Sequence, residues 1–279
     1  MSEERRADYV FDQAWEQERR RLGSLSALCD PITRRRLEAL RLGPGWRCLE
    51  IGGGAGSLAA WIGSRIGPSG RLVVTDLDIR FLEELRSNTV EVRRHDIVID
   101  ELEKEAYDLV HARAVLQHLP GWRQALDRMV QALRPGGWLL VEDVLFGGAM
   151  QTGLEAFVRP PESGPLITKL LNGGARVFSL VGSDAMFGPK LLPVMLSLGL
   201  EEVDAELTSR LVQGGSDALA LYQLSADELG PKLVGMGLMG DDELARARTV
   251  CRDPSTYLMS AELFGIWGRR QMAGVAGGG

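Results

Sequence analysis

Arg47-Cys48-Leu49-Glu50-Ile51-Gly52-Gly53-Gly54-Ala55-Gly56 decides the architecture: a short apolar run opens into a loop in which four of five residues are glycine. Leu58-Ala59-Ala60-Trp61-Ile62 follows with helical spacing, so the stretch reads as strand, glycine loop and helix. Outward from it the same alternation repeats. Arg71 to Asp76 is a second, β-branched strand, followed by a helix over Arg80 to Ser87. Val90 to Arg93 is a third, leading to His95-Asp96-Ile97. Tyr107 to Ala112 is a fourth, followed by helices over 114–133. Arg134-Pro135-Gly136-Gly137 turns the chain into a fifth, Trp138 to Asp143. Apolar strands alternating with helices predict an α/β fold with a parallel sheet covered on both faces.

The flanks read differently. Residues 8–42 look helical, with Val10, Phe11, Ala14, Trp15 and Glu18 at helical spacing, and Asp30-Pro31 starts a second helix. After Asp143 the alternation pauses. Residues 144–185 are rich in Gly and Pro, with short helical stretches such as 166–171. A helix over 191–198, a strand over 201–211, helices over 216–247 and a last strand over 257–268 bring the sheet to seven strands. The expected organisation is a single domain, 1–279. Residues 1–42 are a helical addition, 43–143 and 186–273 the sheet, 144–185 a cap inserted after strand five, and 274–279 a frayed glycine tail.

Composition excludes several classes. The chain has 279 residues, 32 Lys+Arg against 38 Asp+Glu and a formal charge of −6. That balance disfavours a polyanion-binding surface, so neither nucleic acid nor membrane is an expected partner. Arg19-Arg20-Arg21 and Arg34-Arg35-Arg36 read as solvated helix faces. Three scattered cysteines, Cys29, Cys48 and Cys251, form no CxxC pair, and no disulfide framework or metal site is expected. With a charged N-terminus and no long apolar run, the expected compartment is the cytoplasm.

In an open parallel sheet a ligand binds beyond the carboxyl ends of the strands, where the strand order switches. The glycine loop stands there, and Gly54-x-Gly56-x-x-Ala59 with Asp76 about 20 residues on satisfies a dinucleotide pattern. Charge separates the alternatives. A carboxylate at Glu50 repels a pyrophosphate, whereas it suits S-adenosylmethionine (SAM), which carries an ammonium and a sulfonium and no phosphate. Asp76 suits ribose hydroxyls in either case, and Asp96-Ile97 suits an adenine. Each has a plainer reading: Glu50 as a solvated strand end, Asp76 and Asp78 as helix N-caps, Asp96 as a loop residue.

Taken in order, Leu49 to Gly56, Val74-Thr75-Asp76-Leu77-Asp78, His95-Asp96-Ile97, Tyr107 to Leu119 and Leu133 to Trp138 resemble the class I SAM-dependent methyltransferases over residues 44–145. The resemblance implies a Rossmann-like, mostly parallel seven-stranded sheet. It places Glu50, Gly52 and Gly54 near the methionine part of SAM and Asp76, with Leu77 beside it, on the ribose. It puts Asp96 and Ile97 at the adenine, and Ala112 and Arg113 at the strand-four end, where the family contacts the methionyl end or lines the substrate mouth. S-adenosylhomocysteine (SAH) is the product it implies. Tyr9 to Glu16 and Ile266 to Arg270 further resemble bacterial small-molecule methyltransferases of the natural-product type, acting in secondary metabolism. In that context the N-terminal helices form a lid with Tyr9, Phe11 and Trp15 toward the substrate; plain packing of Phe11 and Trp15 on the sheet is the alternative.

Methyl transfer from a sulfonium needs alignment above all, and a base only when the nucleophile must lose a proton. His118, beyond the strand-four mouth, and Asp143, at the end of strand five, are the candidate bases; capping roles compete for both. His95 reads as structural and His111 as a core histidine. Phe146, Met150, Phe157, Phe178, Met186 and Phe187 suit a cap over a small, partly apolar or aromatic acceptor, and a helical core stripe would look the same. The sequence leaves open a homodimer, a nicotinamide-dependent oxidoreductase and a SAM-fold protein that does not methylate.

Overall fold

The computed structural model describes residues 17–145, 156–180 and 182–272. Tyr9, Phe11, Trp15, Phe146 and Met150 lie outside the described residues, as do residues 1–16 of the 1–42 stretch expected to form a lid. The chain forms α1 (Glu18–Ala39), β1 (Arg47–Ile51), α2 (Ser57–Ile66), β2 (Arg71–Asp76), β3 (Val90–Arg94), β4 (Tyr107–Arg113), α3 (Trp122–Ala132) and β5 (Leu133–Leu145). There follow α4 (Gly164–Leu180), α5 (Leu191–Ser197), β6 (Leu200–Thr208), β7 (Leu211–Gln213), α6 (Asp217–Gly235), α7 (Asp241–Arg252), β8 (Tyr257–Met259) and β9 (Glu262–Arg270). These divide into two compact units, one of Ile32–Asp143, Phe187–Leu207 and the chain from Phe264, the other of the chain up to Pro31, Val144–Met186 and Thr208–Leu263.

The first unit carries most of a seven-stranded, mostly parallel sheet in the order β3-β2-β1-β4-β5-β9-β6, the Rossmann-like arrangement expected. β1 pairs in parallel with β2 on one side and β4 on the other, so the strand order reverses between β1 and β4. Both faces are closed by apolar side chains, which is why the strands read as continuous hydrophobic runs. Leu49, Ile51, Val110, Ala112 and Val141 face α3 residues Ala125, Leu126 and Met129. Cys48, Leu72, Val74, Leu109 and Leu140 face Leu37 of α1, Leu40 just after it, and Leu58, Ile62 and Ile66 of α2. The Arg134–Gly137 turn lies within β5 as an irregularity. Tyr107 pairs with Leu133 and Leu109 with Trp138, and a Cβ on Gly137 would sit 2.7 Å from the Tyr107 carbonyl.

Four expectations change. Pro31 lies inside α1 rather than starting a helix. Proline has no N–H for the carbonyl four residues back. Arg210 supplies the missing donor, its Nη1 reaching the carbonyls of Ala27 at 3.1 Å and Leu28 at 3.0 Å. Over 80–87 only a 3-10 turn forms, Glu83–Leu85, because Leu82 is buried against the glycine loop and holds the chain there. The stretch expected as short helical pieces holds the 17-residue α4. The stretches 201–211 and 257–268 each split, giving β6 and β7, then β8 and β9; β7 and β8 pair antiparallel in a separate small sheet.

In the second unit α4, α6 and α7 enclose Leu170, Val177, Phe178, Leu229, Leu233 and Leu244. Gly173 permits the approach, since a Cβ there would sit 2.9 Å from Leu233. Phe178, expected as a substrate contact, is interior to this cluster: its helical position turns it toward α6 and α7. No helix among the described residues is long and apolar enough to cross a membrane.

Candidate active site

The loop after β1 is built from its glycines. Gly52, Gly54 and Gly56 have φ of 73°, 54° and 81°, a region L side chains rarely adopt. Space forbids a side chain as well: a Cβ on Gly52 would lie 2.3 Å from Val115 and one on Gly53 2.4 Å from Val74. The loop is therefore pressed against the ends of both β2 and β4.

Its N–H groups are turned inward. Gly52 and Gly53 donate to the Thr75 carbonyl at 2.8 and 3.0 Å, and Gly56 donates to the Gly53 carbonyl at 2.9 Å. The Gly54 N–H donates to Asp76 Oδ2 at 2.9 Å, and the Asp78 N–H to Asp76 Oδ1 at 3.1 Å. Burial raises the Asp76 carboxyl above its ordinary range, against the pull of the N–H groups of Gly54, Asp78 and Leu77. Leu77 beside it is exposed. Asp78 is no helix cap: it accepts from the Arg80 N–H at 3.1 Å and pairs with that guanidinium at 2.9 Å.

Glu50 is buried, only 4 % exposed, so it is not a solvated strand end. In the sheet Glu50 lies beside His111, Ile51 beside Ala112, and Arg113 beside Glu142. Partners in register point to the same face, so Glu50, His111, Arg113 and Glu142 share the face covered by α1. Asp96, after β3, accepts from the Val98 N–H at 2.9 Å through Oδ1, and its own N–H donates to Asp100 at 2.8 Å. Ile97 is buried in the core beside Leu116 and Ala125, so its side chain supports the loop from beneath. Glycine loop, Asp76, Asp96 and Arg113 all stand at the carboxyl ends of neighbouring strands.

Of the candidate bases, His118 is half-buried on the 3-10 turn Leu116–His118, with Gln117 Nε2 3.3 Å from its Nε2. Asp143 is fully buried within β5, which runs on to Leu145. His95 sits 3.3 Å from the Glu101 carbonyl. His111 is a core histidine, fully buried and 3.2 Å from Glu142.

Sequence reasoning missed the partners on α1. Arg36 is buried and donates to Glu142 at 2.6 Å, and Thr33 donates to the same carboxylate at 2.6 Å. Arg21 is likewise buried, donating to Glu18 at 2.7 Å. The two arginine runs are thus not wholly solvated faces, because a 3.6-residue period turns one member of each inward. Met186 and Phe187, neighbours in sequence, differ in the same way: Met186 is 36 % exposed, while Phe187 is buried edge-on against Trp122. Among the described residues no cluster of His, Cys, Asp and Glu could hold a metal ion.

Residues 49–139 match the family model described as methyltransferase domain. The methyltransferase str2 of Strobilurus tenacellus is 29% identical over 162 residues, covering 57% of this chain and 54% of that protein. The chain thus spans about half the length of that curated relative. Among solved structures, a Haemonchus contortus phosphoethanolamine N-methyltransferase in complex with SAH superposes with a TM-score of 0.51 at 14% identity, over 82% of this chain and 50% of that one. The [4+2]-cyclase SpnF gives 0.53 at 17%, over 88% and 81%. With strand order and glycine loop in agreement with that match, residues 49–139 carry a methyltransferase domain of the class I SAM-dependent type.

Proposed function

We propose that this protein transfers a methyl group from SAM to a small, partly apolar or aromatic acceptor. The observation that carries the reading is the inward turn of the loop N–H groups. A pyrophosphate needs such donors facing it, and here the N–H groups of Gly52, Gly53, Gly54 and Gly56 bond to backbone or to Asp76. Glu50 and Asp76 add two carboxylates to the same neighbourhood. A cationic, phosphate-free cofactor fits this acidic cradle, and a nicotinamide dinucleotide does not.

In this reading Gly52 and Gly54 admit the methionine part close to the backbone, with Glu50 facing its positive charge. Asp76 accepts from the ribose hydroxyls, Leu77 packs beside the nucleoside, and Asp96 receives the adenine amine. SAM when bound supplies an electrophilic methyl on a leaving group that departs neutral. The chain's own task is to align a nucleophile with that methyl and keep water out. His118 is the group assigned to take a proton where the acceptor must lose one, since it reaches the surface of the β4 turn and Asp143 does not. Residues 43–143 serve as the cofactor-binding part, and the 144–185 segment, with Phe157 exposed at 55 %, bears on acceptor choice.

A second reading keeps the cofactor and drops the transfer, since SpnF shares the fold and is a cyclase. Calorimetry with SAM, SAH and NADP, followed by incubation with methyl-labelled SAM and a panel of phenols, amines and activated carbon acids, separates these. SAM binding with label transfer is expected. NADP binding without SAM binding overturns the methyltransferase reading, and tight SAM binding with no label on any acceptor favours the second.

A further inference from the structure

One buried polar group after another is anchored on Glu142 at the carboxyl ends of β4 and β5. Glu142 Oε1 accepts from Arg36 Nη1 at 2.6 Å, and Oε2 from Thr33 Oγ1 at 2.6 Å, with His111 Nε2 at 3.2 Å. Arg36 also holds Glu206, its Nε at 3.0 Å from Oε2 and its Nη2 at 3.0 Å from the carbonyl. Thr33, Arg36, His111 and Glu142 are all buried. The last link leaves this buried set: Arg113 Nη1 donates to Thr33 Oγ1 at 2.9 Å, and Arg113 itself is only half-buried.

The direction of these bonds is fixed by chemistry. A guanidinium only donates and a carboxylate only accepts, so Thr33 accepts from Arg113 and donates its one O–H to Glu142. A threonine hydroxyl does both at once, and valine of the same shape does neither. The hydroxyl holds one of the five N–H groups of Arg113 and so restrains the guanidinium. Arg113 ends β4, one residue past the Ile51–Ala112 pair, and therefore lies beside Gly52 at the point where the strand order reverses. A planar cation so restrained at a strand switch is built to take a carboxylate through paired N–H bonds.

We propose that Thr33 is a positioning residue, braced by Glu142 and Arg36, that orients Arg113 to receive the carboxylate of the cofactor's methionine part. This rests on the SAM-binding reading above. It adds that discrimination for the carboxylate depends on a hydroxyl on α1 that touches no ligand.

The test is calorimetry with two probes: SAH, and its analogue in which the carboxylate is replaced by hydrogen and the amine kept. The unaltered protein binds SAH about tenfold or more tighter than the analogue, the scale of a charge-assisted pair. Thr33→Val reduces that preference to within about threefold by weakening SAH and leaving the analogue unchanged. Thr33→Ser restores the preference, which a merely structural role would not require. Arg113→Gln, which leaves Thr33 and Glu142 in place, loses the preference as well and decides the matter should Thr33→Val not fold. Full preference retained in Thr33→Val or Arg113→Gln overturns the proposal, as does equal weakening of both probes. Equal binding of both probes by the unaltered protein overturns the carboxylate assignment alone. Binding of neither probe overturns the SAM reading itself.

Discussion

Asp76 shows how one side chain can build a loop and still serve a ligand. Its two oxygens each accept one backbone N–H, from Gly54 and Asp78, which fixes the carboxylate at the end of β2. With the Leu77 N–H also directed at it, three of the carboxylate's roughly four acceptor sites are taken and one remains for a hydroxyl donor. Burial raises the carboxyl's pKa, so the ionised form that a ribose requires is lost on acidification sooner than at an ordinary aspartate. SAM affinity is therefore expected to fall with decreasing pH from above the usual carboxylate range, and to be flatter in Asp76→Asn. Asp76→Ala should weaken binding by several-fold to hundreds-fold, about 1–3 kcal/mol for lost charged hydrogen bonds. Calorimetry across a pH series checks both; unchanged affinity in Asp76→Ala removes the ribose role.

At the scale of elements, what could be read from the sequence follows what is local. The loop after β1 was legible because glycines at positive φ, crowded by Val115, Val74 and Leu85, exclude other residues, and that exclusion is written in the residue types. Strands β1 to β5 were legible because both faces are buried. α1 was not, because its continuity depends on a residue 183 positions away: Arg210 satisfies the carbonyl that Pro31 orphans. Arg36 is the same case, its partner Glu142 lying 106 residues on. No local pattern distinguishes such an arginine from a solvated one. A double-mutant cycle tests the Pro31–Arg210 account. Arg210→Ala alone leaves the Ala27 carbonyl without a donor and is expected to cost about 1–3 kcal/mol. In a Pro31→Ala background the helix regains its own N–H for Ala27, so the same change should cost less. Equal costs in both backgrounds, read from denaturant midpoints, would show that Arg210 does not compensate for the proline.

For the molecule as a whole, the formal charge of −6 says less than where the buried charge sits. Apolar side chains close both faces of the sheet, yet Glu142 is fully buried near the carboxyl ends of its strands. Burial alone would raise its carboxyl; the His111 hydrogen bond and the positive charges of Arg36 and Arg113 outweigh that and hold it at about 2. A carboxyl depressed on folding stabilises the native state at pH values above its ordinary titration near 4.5, and that contribution disappears as pH falls toward 2. The protein should therefore lose stability progressively from about pH 4.5 downward, most steeply between the two values and levelling off as the folded-state value is passed. Glu142→Gln removes the titrating group and leaves Arg36 facing a neutral amide. At pH 7 it should be destabilised by about 3–5 kcal/mol, the scale for half a buried ion pair, less what Glu206 retains. Its stability should then depend on pH less steeply between 4.5 and 2 than that of the unaltered chain. Urea unfolding across that range measures both slopes, and parallel profiles would place the acid sensitivity in other carboxylates, such as Glu91 and Glu103, which their arginine partners also hold at about 2.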